Sequence, residues 1–108
     1  MELLEDASFE EATEPLAEAA RRAPEKSSVR EALGRAYFRN RQFSEAAAEF
    51  EAVVETHPVN GYAHFCLGRA LSLTGQTKRA RHHLALASNL RPERRDYRLY
   101  RERLAGGH

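Results

Sequence analysis

A chain of 108 residues, 42% apolar and 31% charged, is long enough for one core and too mixed in composition for a disordered tail or a membrane protein. No apolar run approaches a membrane span, and the acidic opening Met1-Glu2-Leu3-Leu4-Glu5-Asp6 is the reverse of a secretory signal, which points to a cytoplasmic protein. The net charge of +1 hides a gradient, from eight acids against three bases in residues 1–26, through five against four in 27–60, to three against ten in 61–108.

Taken in chain order, Phe9, Ala12, Leu16 and Ala19 predict a helix closed by Pro24, with Leu3 and Leu4 as the remnant of a helix before it. Pro15 should kink that helix or delay its start. Val29, Leu33, Ala36 and Tyr37 then follow at helical spacing, opened by Ser28 and Glu31 at the interval of a capping box. After a short connection, Arg39-Asn40-Arg41-Gln42, comes a second helix carrying Phe43, Ala46, Ala47, Phe50, Val53 and Val54 inward. Its carboxylates Glu45, Glu49, Glu51 and Glu55 read as a solvated face. Pro58 ends the unit, because the residue before a proline is pushed out of the helical region. Asn60 caps a further helix from Gly61, which bears Leu67 and Leu71. Thr74-Gly75-Gln76 turns the chain into another, with Ala80 and Leu84, up to Pro92. Asp96 to Leu104 makes a terminal helix with Tyr97, Tyr100 and Leu104 on one stripe.

The two central units are copies. Leu33-Gly34-Arg35-Ala36 returns as Leu67-Gly68-Arg69-Ala70, an interval of 34 that is kept by Pro24, Pro58 and Pro92 and by Ala12, Ala46 and Ala80. A fixed period of that length marks stacked helical hairpins that cover one another's apolar faces. The expected organisation is one all-α domain: a partial repeat in 1–26, full repeats in 27–60 and 61–94, and a capping helix and tail in 95–108. Glycine within a helix costs about 1 kcal/mol relative to alanine. Its recurrence at 34 and 68 predicts close helix crossings opposite Ala46 and Ala80.

These residues resemble the tetratricopeptide repeat family. Its Leu-Gly, Tyr, Ala, Phe and Pro pattern is met by Leu33-Gly34, Tyr37, Ala46, Phe50 and Pro58, and again by Leu67-Gly68, Leu71, Ala80, Leu84 and Pro92. Arg30 and His64 replace the family's opening tryptophan. The resemblance implies antiparallel helix-turn-helix repeats in a short right-handed superhelix, and a non-catalytic module that binds a peptide or partner protein on its concave side. Carried onto this chain, that side comprises Glu31, Arg35, Phe38, Arg39, Tyr62, Phe65, Arg69, Ser72 and Leu73. Aromatics beside arginines suit an acidic or C-terminal peptide. The alternative is that Phe38 and Phe65 pack under the terminal helices. The lysine and asparagine clamp with which some members hold chaperone tails is not matched.

Other chemistries find little support. His82 and His83 diverge on a helix, His57 precedes a proline and His64 is a packing position, so no metal or other cofactor is expected. Cys66, the lone cysteine, has no partner for a disulfide or a thiolate zinc site, and from two residues away on a helix His64 cannot serve it as a base. The six arginines and two tyrosines between Arg91 and Arg103 permit an Arg-rich nucleic-acid or anionic-surface binder, a weaker reading because Glu93, Asp96 and Glu102 dilute the charge. A second protein-level expectation is self-association, as a homodimer through the N-terminal edge around Phe9 and Leu16 or head to tail along the charge gradient.

Overall fold

The computed structural model describes residues 13–106. The helices expected within these residues are present, Leu3, Leu4, Phe9 and Ala12 lie outside them, and no strand occurs among the described residues. We denote them α1 (helical over the described residues 13–22), α2 (Ser27–Arg39), α3 (Phe43–Thr56), α4 (Gly61–Leu73), α5 (Thr77–Leu90) and α6 (Arg95–Gly106). From α2 onward each helix packs chiefly on the next, which makes two antiparallel hairpins, α2–α3 and α4–α5, with α6 laid on α5.

The turns explain the hairpins. In the first, Gln42 N–H donates to the Tyr37 carbonyl at 2.8 Å and Arg41 N–H to that of Phe38 at 3.1 Å. The second repeats the wiring, with Gln76 to Leu71 at 2.9 Å and Gly75 to Ser72 at 3.2 Å. This is the Schellman ending, which requires one left-handed residue. Gly75 supplies it with φ 83°, whereas Arg41 adopts φ 63° at the corresponding place. At the far end of each unit, His57 and Arg91 lie at φ −133° and −130°, outside the helical region from which a following proline displaces a residue. Pro58 and Pro92 themselves are exposed.

The core runs along the stack: Leu33, Ala46, Phe50, Leu67, Leu71, Ala80 and Leu84 are all buried, with Tyr37 half-buried against them. The glycines sit where predicted, but the neighbour that needs the gap differs. A Cβ at Gly34 would stand 2.7 Å from the Phe50 ring, and one at Gly68 would stand 2.7 Å from Leu84 Cγ. The large residue one turn beyond each alanine fills the space, and at Gly68 the alanine position contributes as well, through the Ala80 carbonyl at 3.3 Å.

Two local expectations fail. The capping box at Ser28 and Glu31 does not form, because α2 already begins at Ser27, with Lys26 as an N-cap that offers no side-chain bond. Glu31 instead accepts from Asn60 Nδ2 at 2.6 Å, while Asn60 Oδ1 caps α4 by accepting from Ala63 N–H at 3.0 Å. One asparagine thus starts α4 and ties it to α2. Nor is the acidic face of α3 simply solvated: Glu49 pairs with Arg30 at 2.9 Å in a half-buried contact, and Glu51 pairs with Arg79.

Candidate interaction site

The repeat register makes α6 the counterpart of α2 and α4, the first helices of the hairpins. Its apolar stripe therefore turns toward the same side. Tyr97 is fully buried and stacks on Phe65 with ring centroids 4.3 Å apart, and Tyr100 meets Phe65 edge-on at 5.3 Å. Phe65 is consequently buried, and of the two readings of this aromatic the packing one describes it. Tyr97 is thereby withdrawn from solvent, while Tyr100 is half-buried. The remaining basic surface of α6 is Arg95, Arg98, Arg101 and Arg103, all exposed.

Arg69 gathers what remains. Its guanidinium lies 4.9 Å from the centre of the Phe38 ring, 4.8 Å from that of Tyr100 and 6.0 Å from that of Phe65, within cation–π range of rings from three helices. Phe38 is in turn held edge-on by Phe43 at 5.0 Å. Arg103 covers Tyr100 at 5.1 Å. Between α4 and α6 an open cavity of about 170 Å³ is lined by Arg69, Ser72, Leu73, Leu84, Tyr100, Arg103 and Leu104. Of the nine residues expected on the concave side, Phe38, Phe65, Arg69, Ser72 and Leu73 belong to this one neighbourhood. Arg35 and Arg39 are exposed on α2, Tyr62 is half-buried with its ring edge-on to Phe50, and Glu31 is engaged at the Asn60 joint. Tyr100, Arg103 and Leu104 are additional. The signal for them was available: Arg95 follows Gly61 at the same interval of 34, so the stripe on α6 had to face where that of α4 faces.

The histidines form a joint the sequence did not reveal. His64 is 4% exposed, its Nε2 is 2.8 Å from the Pro58 carbonyl, and its Nδ1 is 3.0 Å from Nδ1 of His83. A carbonyl only accepts, so neutral His64 carries its proton on Nε2 and accepts at Nδ1 from His83. Burial, followed by the neighbouring His64, lowers the His83 pKa to about 4. No cluster of three or more metal-binding side chains occurs among the described residues. Burial also pushes the Cys66 thiol up to about 11, against the opposing Tyr62, so it stays protonated at neutral pH and is no activated nucleophile. On the N-terminal edge, Phe9 lies outside the described residues, and Leu16 is half-buried.

Paired antiparallel helices in two copies of one sequence unit, with glycines at the crossings, define a helical-repeat protein with no membrane-length apolar helix among the described residues. The family model described as tetratricopeptide repeat matches residues 1–58 and 31–88, and the chain belongs to that family, as a short right-handed superhelix of paired helices. Among solved structures it is similar to the first tetratricopeptide repeat of Spaghetti (RPAP3) bound to the HSP90 peptide SRMEEVD. That match has a TM-score of 0.86 at 15% identity and covers 97% of this chain and 83% of that one. It is similar also to MamA from Desulfovibrio magneticus RS-1, with a TM-score of 0.87, 20% identity and coverage of 96% and 59%. MamA of MSR-1 aligns with a TM-score of 0.80, 27% identity and coverage of 97% and 62%. The chain thus spans about three fifths of the MamA chains it matches. No curated protein matches the sequence.

Proposed function

We propose that this chain is a non-catalytic protein-interaction module whose concave face, built from α2, α4 and α6, holds an acidic segment of a partner protein. The observation that carries the reading is Arg69, a half-buried residue whose guanidinium lies among the rings of Phe38, Phe65 and Tyr100 with no carboxylate partner among the described residues. A cation withdrawn from water without a counter-ion is costly, and an incoming carboxylate relieves that cost through two parallel charge-assisted bonds. Aromatic rings on either side hold the fork in place before the ligand arrives, which lowers the entropy lost on binding. Arg35, exposed beside the half-buried Tyr62 hydroxyl, extends the positive surface along the groove. The similar RPAP3 structure, bound to the HSP90 peptide SRMEEVD, supports an acidic peptide as the class of ligand.

The test is a fluorescence anisotropy titration with acidic, neutral and basic decapeptides at low and physiological salt. Acidic peptides should bind preferentially, and Arg35→Ala with Arg69→Ala should weaken them by about tenfold or more. Affinity unchanged by both substitutions removes the groove.

A further inference from the structure

The concave face uses only one side of α6. Along the exposed side run Arg95, Arg98, Leu99 and Glu102, the i, i+3, i+4, i+7 spacing of a helix that docks lengthwise in a groove. Leu99 follows Phe65 by the interval of 34, yet Phe65 is buried beneath α6 whereas Leu99 is 47% exposed. A further hairpin of the usual kind does not fit over it. One interval after Leu67 and Gly68, where α5 crosses α4, stand Arg101 and Glu102, so a carboxylate side chain fills the place where that crossing needs a gap. Whatever covers Leu99 must be apolar at its centre and charged at its edges.

Such a surface lies on the side of the stack formed by the second helices. Between α3 and α5 runs an open groove of about 390 Å³, with Ala48, Ala52 and the buried Leu71 along it. At 1.5 Å per residue its α3 wall, from Ser44 to Glu55, is about 17 Å long, and the twelve residues of α6 span about 18 Å. From the far end toward the turn, the walls present Glu55, then Glu51, then Arg79, which bonds to Glu51. Glu55 has no cation partner among the described residues. In chain order α6 presents Arg95, Arg98 and Glu102, none of them in an ion pair among the described residues. Laid antiparallel to α3, these two series meet with opposite signs at each step and set Leu99 over the alanines. The opposite face of α6 holds it on α5, so it does not fold back into its own groove. We propose that the groove between α3 and α5 receives the outer stripe of α6 from a second copy of this chain. The two partners use different surfaces, so the contact repeats without closing and links copies head to tail. It leaves the concave face open and stands apart from the peptide reading.

One helix in a groove buries less surface than a standard interface, which sets the dissociation constant on the order of 10–100 µM. The test is sedimentation equilibrium of the full chain from about 5 to 500 µM, at about 50 and 500 mM salt. The mean mass should rise from the 12.3 kDa of one chain past that of two, and less steeply at high salt. Arg95→Glu/Arg98→Glu and Glu51→Arg/Glu55→Arg each set like charges across the contact, and each should stay monomeric with its helical circular dichroism unchanged. Mixed in equal amounts, the two should associate again, because each stripe then finds its complement in the other's groove. Ala48→Gln, which narrows the groove without changing its charge, should weaken association about tenfold or more. A wild-type chain that stays monomeric throughout overturns the proposal, as does a mass that stops at two chains. Charge-reversed variants that associate like the wild type, or a mixture that stays monomeric, overturn it equally.

Discussion

Replacing His64 by arginine and His83 by glutamate together transplants one joint of this protein into another. In the first hairpin, Arg30 donates Nε–H to the Pro24 carbonyl and Nη1–H to Glu49, both at 2.9 Å. One repeat later those positions are His64, Pro58 and His83, and the same two connections are made by imidazoles at 2.8 and 3.0 Å. The joint is kept while its chemistry changes from a charged pair to a neutral one. The neutral version is sensitive to acid. His83 has its pKa lowered from 6.5 to about 4, so between those values the unfolded chain takes up a proton that the folded one refuses. Stability from this group is complete above pH 6.5, falls as the pH drops toward 4 and changes no further below it.

At 1.36 kcal/mol per pKa unit the whole shift corresponds to about 3 kcal/mol. His83 retains part of its hydration, and screening reduces the expected loss to roughly 1–2 kcal/mol, of which about 1 falls between pH 7.5 and pH 5. That lowers the melting temperature by about 4–8 °C in a domain of this size. The double variant His64→Arg/His83→Glu should lack this component. His64→Arg alone places a buried guanidinium against an imidazole instead of a carboxylate and should cost at least about 2 kcal/mol, which His83→Glu restores. Urea and thermal melts of the four proteins at both pH values measure the cycle. Equal pH dependence in wild type and double variant, or a coupling below about 0.5 kcal/mol, would refute the joint.

The helix crossings and the turns give two further expectations. Gly68→Ala and Gly34→Ala each gain about 1 kcal/mol of helix propensity but drive a Cβ to 2.7 Å from Leu84 or Phe50, so each should lose roughly 1–2 kcal/mol net in urea denaturation; a gain would mean that the crossings are looser than described. Arg41→Gly should instead stabilise by roughly 0.5–1 kcal/mol, because Arg41 holds φ 63° where the second hairpin uses Gly75, and a loss in the same melts would refute strain at that turn.

The fold was legible because its signals are periodic. Apolar spacing located the helices, the prolines fixed their ends, and the interval of 34 gave the stacking order. Side-chain partners across the stack were not legible to the same degree. The capping-box spacing of Ser28 and Glu31 is a local pattern, and a contact between distant segments, Glu31 with Asn60, displaced it. Among the histidines, adjacency makes His82 and His83 the apparent pair, whereas the true one, His64 with His83, spans two helices. Comparison of the two repeats with each other reveals it, since the corresponding residues are the complementary pair Arg30 and Glu49. On the concave face, the family pattern draws candidates from α2 and α4 alone. Nearly half of the residues lining the cavity come from α6, whose sequence reads as a cap.

In the proposed reading a cap and a binding wall are the same element, and that constrains how the face can work. Tyr97 lies fully buried against Phe65, closing the apolar end of the stack, while on the next turn Tyr100 carries Arg69 on one contact and Arg103 on another. Removing α6 would strip cover from Phe65 and Leu84 and would remove the cavity as well, so a truncation confounds stability with binding. Tyr100 separates them. It is only half-buried, and Tyr100→Leu keeps apolar cover over Phe65 while taking away the ring that orients both guanidiniums. Where α6 serves only as a cap, that exchange leaves peptide affinity untouched. Where the arginines are held ready by the ring, affinity falls and the melting temperature moves little.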